Sequence, residues 1–183
     1  AAFGFGAPPL IEGLEFEDDN LSPEIALNYY LNDNTSVYVA YKKAFKSGGI
    51  DNSALPTASI NPLSPTFEGF DALIYDSEEA DGFEIGLKSN LFDNNMRINA
   101  TYYKYEYTDL QVQLFDANII QFSTFNAGAV ETEGFEADML WYTDIEGLTL
   151  RGQFAWTDAV NTGDFFNTSG VNLKGSELSL IHI

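Results

Sequence analysis

The chain has 183 residues, 45% apolar and 15% aromatic, with 8 basic residues against 28 acidic ones and a formal charge of −20. That balance excludes nucleic acid as a partner, because phosphate binding needs clustered Lys and Arg, and the absence of Cys excludes disulfide and thiolate chemistry. No run approaches the roughly 18 apolar residues of a membrane helix, which excludes a helical membrane protein but not a barrel, whose strands carry half that apolar density.

Residues 1–21 are expected to form an outer loop or an incomplete strand. The chain opens on Ala1-Ala2-Phe3, with no basic-then-apolar leader, so either a signal segment has been removed or this is an internal piece. A period of two then begins, the mark of strands with two unlike faces. In the first segment Ile25, Leu27, Tyr29 and Leu31 share one face, and Glu24, Ala26, Asn28 and Tyr30 share the other. Asn32-Asp33-Asn34 makes a compact turn, because Asn and Asp bond to their own main chain. The second segment sets Val37, Val39 and Tyr41 against Ser36, Tyr38, Ala40 and Lys42, completing a hairpin.

From 46 to 80 the alternation stops. Gly48-Gly49, Pro56, Pro62 and Pro65 punctuate a polar stretch that reads as a long loop. The third segment alternates Phe83, Ile85, Leu87 and Leu91 with Glu84, Gly86, Lys88 and Asn90, and Asp93-Asn94-Asn95 turns the chain. The fourth places Ile98, Ala100 and Tyr102 opposite Arg97, Asn99 and Thr101, and is expected to continue through Val112 and Leu114 to a reversal near Asp116-Ala117-Asn118. Phe135, Ala137, Met139 and Trp141 face away from Glu136 and Asp138 in the fifth. After the turn Asp144-Ile145-Glu146-Gly147, the sixth sets Leu148, Leu150, Phe154 and Trp156 against Thr149, Arg151, Gln153 and Thr157. Beyond 160 the pattern dissolves, so 161–183 is expected to be an outer loop and a truncated tail.

Two regularities favour a membrane barrel over a soluble antiparallel sandwich. The tight turns all fall at one end, as short periplasmic turns do opposite long outer loops. The second face is polar throughout, with Glu84, Lys88, Arg97, Glu136, Asp138 and Arg151; a wet lumen tolerates such residues, and a sandwich core does not unless each is paired. Height agrees. A residue nine positions past a turn stands about 23 Å up, at roughly 3.3 Å per residue and about 40° of tilt, near the top of a membrane band. Lys43, Lys104 and Trp156 occupy that level, with Tyr41 and Tyr102 one step lower and Tyr29 and Trp141 near the opposite rim.

Enzyme chemistry finds no footing, and neither catalytic nor metal residues nor a cofactor are expected. The single His, His182, lies in the tail. Asp76-Ser77-Glu78-Glu79-Ala80-Asp81-Gly82 looks superficially like a calcium loop, but its Gly is one place late and no Glu closes the pattern. Gly4-Phe5-Gly6 lacks the third glycine of a nucleotide cradle. For a ligand, the places to look are the polar face and the loop from Ser47 to Glu79, where Phe67, Phe70 and Tyr75 either stack on a chelate or sugar or anchor the loop to itself. No ligand site is assigned.

The stretch Tyr38-Val39-Ala40-Tyr41-Lys42-Lys43-Ala44-Phe45-Lys46-Ser47-Gly48-Gly49 resembles the rising strand of TonB-dependent receptors. Glu84 to Ser89 with Leu91-Phe92-Asp93, Tyr107 to Gln113, Asn126-Ala127-Gly128 with Glu131 to Asp138, and Leu148-Thr149-Leu150 with Trp156 to Ala159 resemble later strands in the family's order. The resemblance covers roughly 22–159. It implies an all-β, antiparallel, up-and-down transmembrane barrel segment of about six long strands from a larger barrel of about 22. It also implies a Gram-negative outer-membrane location and active import of a scarce nutrient such as an iron chelate, vitamin or glycan. Implied partners are outer-membrane lipid, the nutrient, and the TonB complex through parts outside this chain. Neither a plug nor a TonB-contacting segment is found, so the chain reads as an interior portion of a receptor. A passive porin and a soluble extracellular adhesion domain are the alternatives.

Overall fold

A computed structural model describes residues 15–51, 73–116, 121–164 and 171–177. Six long strands form one antiparallel sheet: β1 (Glu24–Asn32), β2 (Thr35–Lys46), β5 (Glu78–Leu91), β6 (Met96–Thr108), β9 (Ala129–Tyr142) and β10 (Thr149–Asn161). The spatial order β1-β2-β5-β6-β9-β10 is up-and-down, and the sheet curls into a half-barrel. Two short ribbons accompany it, β3 (Gly49–Ile50) with β4 (Ile74–Tyr75), and β7 (Gln111–Asp116) with β8 (Gln121–Asn126).

The three tight turns fall where the sequence puts them. The Asn32 side chain accepts the Asn34 amide at 2.9 Å. Phe92, Asp93 and Asn94 all take positive φ, an energetically costly run of left-handed residues eased by the tolerance of Asp and Asn for that region. In the third turn Gly147 sits at φ +78°, open to glycine at no steric cost.

Two expectations change. The fourth strand does not run on to Asp116: Asp109 (φ +52°) and Gly128 (φ +48°) turn the chain out of the sheet. Residues 111–116 then pair with 121–126 as β7 and β8, closed at the root by Ala127 N–H donating to Leu110 O at 2.7 Å. Alternation continues through this ribbon, which is why it reads as more of the same strand. The stretch 46–80 is also not uniformly loop, since β3 pairs with β4 and β5 begins at Glu78. Glu78 to Gly82 are thus the first rungs of a strand and not a calcium loop.

The sheet has no second layer among the described residues. The buried apolar residues among those described are Ala40, Val130 and Ala159 in the sheet and Leu73 and Ala127 in its connections, and no large side chain is fully buried. On one face Ile85 is 53% exposed and Phe154 59%. A water-soluble sandwich of this length would hide those side chains. The free edges are β1 and β10; the end of β10 far from the tight turns is partly covered by 172–177, through the Val160–Glu177 bridge and Asn161 N–H donating to Ser176 O at 3.0 Å.

Candidate functional site

Register assigns every side chain to a face. One paired row reads Ile25, Tyr41, Phe83, Lys104, Glu133, Asp158 across the six strands. Nearer the tight turns another reads Thr35, Ser89, Ile98, Met139, Gly152. In the first the early strands are apolar and the later ones charged; in the second the early strands are polar and the next two apolar. Both margins of the apolar band therefore cross the hydrogen-bonded rows in the same sense. Tilted strands passing through a slab of hydrocarbon produce such a slant.

At the margin far from the tight turns, tyrosines beside the charged level donate to its carboxylates. Tyr41 donates to Asp81 at 3.1 Å and Tyr102 to Glu133 at 2.9 Å, while Lys104 pairs with Glu131 at 2.8 Å. Sequence reasoning found the tyrosines and lysines but missed their acidic partners. A signal was present: Asp81-Gly82-Phe83-Glu84 and Glu133-Gly134-Phe135-Glu136 are one motif used twice. Each stands opposite a Tyr-x-Lys on the strand before the loop, Tyr41↔Phe83 with Lys43↔Asp81, and Tyr102↔Phe135 with Lys104↔Glu133.

The polar face brings together the residues expected to face a lumen. Glu84, Lys88, Arg97, Glu136, Asp138 and Arg151 all fall on it by register. Its rows combine tyrosine with glycine: Tyr38 stands opposite Gly86, Tyr103 opposite Gly134, and Tyr105 opposite Gly82. A Cβ on any of the three glycines would meet a ring carbon of that tyrosine at 2.5 Å or closer. With no Cβ in the way, each ring lies across the neighbouring strand, covering an otherwise bare backbone. The Tyr38 hydroxyl thereby reaches Thr101 at 3.0 Å and Tyr103 reaches Thr157 at 2.9 Å, each two strands away. Tyr105 donates to Glu84 at 2.6 Å, and Lys42 holds both oxygens of that carboxylate at 3.0 and 3.1 Å. Lower down, Lys88 lies 5.3 Å from the Tyr38 ring centre, and Asn99 donates to both Asp138 oxygens at 2.9 and 3.1 Å.

Above these rings is an open hollow of about 700 Å³, reaching from Tyr38 and Glu136 to Leu110. Two smaller hollows lie on the same face, around Asp138 and around Lys88 and Arg97. The wall is thus concave on its hydrogen-bonded polar side and apolar on the other. No group of three or more acidic, His or Cys residues suited to a metal ion occurs among the described residues. Of the loop aromatics, Tyr75 lies in β4 against Gly49, while Phe67 and Phe70 fall outside the described residues.

An apolar belt cut obliquely by tilted strands, with short turns at one end and a polar concave side, defines the wall of a transmembrane β-barrel. Residues 4–181 match the sequence model of the TonB dependent receptor-like β-barrel, and the chain belongs to that family. Among curated proteins none matches. The siderophore receptor PiuA from Acinetobacter baumannii is similar in fold, with a TM-score of 0.54 and 20% identity over 82% of this chain and 20% of that one. The FrpB iron transporter from Neisseria meningitidis gives 0.53 and 17% over 87% and 21%. The siderophore receptor PirA from Pseudomonas aeruginosa gives 0.53 and 20% over 80% and 28%. The chain therefore spans between a fifth and a third of the length of these receptors. Members of the family are outer-membrane transport proteins and not enzymes.

Proposed function

We propose that the chain is a wall segment of an outer-membrane receptor that binds a scarce nutrient at its outer loops and imports it with energy from the TonB complex. An iron chelate is the first substrate class to test, because the similar structures are siderophore receptors and an iron transporter. The single observation that carries the reading is the two-sided wall, whose slanted belt suits tilted strands in lipid and whose concave face is polar. On this reading residues 1–21, 46–80 and 161–183 belong to the outer side. The ties of Asp18 to Gly48 and Ser77, and the return of 172–177 onto the outer end of β10, support that placement.

The test is accumulation of radioactive iron, supplied as chelates, by iron-starved cells with and without the complete receptor. Uptake should need the receptor and stop when the protonmotive force is dissipated. Receptor-dependent uptake that persists without that force would identify a passive pore and overturn the import reading.

A further inference from the structure

Two side-chain amides stand where the β7–β8 ribbon leaves the wall. Asn126 uses its carboxamide as a length of backbone: Oδ1 accepts the Asp76 amide at 2.7 Å, while Nδ2 donates to Asp76 O at 2.8 Å and to Asp109 O at 2.7 Å. Directly across the ribbon, Gln111 points its Nε2 at Ser47 O (2.9 Å), Asp76 O (3.1 Å) and Lys46 O (3.3 Å). Its own amide donates to Glu78 Oε2 at 2.9 Å. Farther out, the Thr124 amide donates to Asp51 Oδ2 at 2.8 Å, and β4 packs against β8. Asp51 also donates its amide to Leu73 O at 2.7 Å, extending the β3–β4 ribbon.

The wall's two long outer connections, 47–77 and 109–128, are therefore joined through their backbones by amide side chains. Among the described residues the ribbons share no strand, β3–β4 and β7–β8 being separate sheets, and the Thr124–Asp51 bond is the further tie between them farther out. An amide bonded on both its donor and acceptor sides fixes direction as well as distance, as a single ion pair does not.

We propose that Gln111 and Asn126 are positioning residues that make these two outer loops move as one body. The inference rests on the import reading for its purpose: a ligand that displaces either loop would carry the other with it, so that one binding event reaches two strand pairs of the wall.

Hydrogen–deuterium exchange on the complete receptor in detergent tests it. The informative amide is Asp51, on the β3–β4 ribbon but beyond its root at Ser47 and Asp76, where Gln111 and Asn126 make their bonds. Joint replacement, Gln111→Ala with Asn126→Ala, should speed exchange at Asp51 by about tenfold or more, together with that at Asp76 and Thr124, because the bonds removed hold the two ribbons in one opening unit. Acceleration confined to Asp76 and its neighbours, with Asp51 unchanged, would show a merely local contact and overturn the proposal. Should the double variant fail to assemble, Asn126→Ala alone, which removes three of the bonds, is judged by the same two outcomes. Neither outcome needs ligand or energised import, so the failure of the import reading would be seen separately, in the iron-uptake assay.

Discussion

Tyr103 stands directly opposite Gly134, and a side chain on that glycine would meet the ring carbon bearing the hydroxyl at 2.5 Å. The same relation holds between Tyr38 and Gly86. Replacing Gly86 by Ala should force Tyr38 off its bed, break its bond to Thr101 and cost about 1–3 kcal/mol. The cost should shrink in a Tyr38→Ala background, because the two changes remove one shared contact. Urea unfolding of the complete receptor in detergent, run as a double-mutant cycle, measures this. Equal costs in both backgrounds would refute the ring-over-glycine account.

Depth along the convex face should grade the cost of a buried charge. Ile85 lies midway across the band on its strand, while Phe83 lies on the row where it gives way to charge. Ile85→Arg should destabilise the receptor in lipid vesicles by about 2–4 kcal/mol, and Phe83→Arg by about 0–1 kcal/mol. A reversed order would place the membrane at the wrong height.

The strap before β1 should loosen only in acid. The Ser77 hydroxyl bonded to Asp18, helped by Ser47 and the Gly48 amide, holds the Asp18 carboxyl below its ordinary range. A group whose folded value is depressed contributes above its unfolded value, near 3.9, and loses that contribution as pH falls through the lowered one. Protection of the Gly48 amide, corrected for intrinsic exchange, should thus be flat from about pH 7 to 5 and fall only below about 4. Asp18→Asn should abolish the acid step; a step that survives it belongs to another group.

Expressed alone and without detergent, the chain should aggregate. It presents an apolar face, open at Ile85 and Phe154, and two strand edges, β1 and β10, of which, among the described residues, only the end of β10 far from the tight turns is covered. Analytical ultracentrifugation showing a monodisperse monomer that melts cooperatively would mean that these surfaces are hidden in a way the single sheet does not allow.

The six strands, the face each side chain takes and the three tight turns were all legible in the amino-acid sequence, because each depends on residues within a few positions of one another. Ile85 and Glu84 declare opposite faces by alternation alone, and Asn32-Asp33-Asn34 declares a turn by its own side chains. What only the tertiary structure decided is which rung meets which across the long loops. Alternation repeats every two residues, so it reads the same whether Tyr38 faces Gly86 or slips by two to face Glu84. The tyrosine-over-glycine rows, the acids that receive Tyr41 and Tyr102, and the departure of β7 and β8 at Asp109 and Gly128 all depend on that choice. Bonds between residues tens of positions apart in the chain make it, and a local pattern carries no record of them.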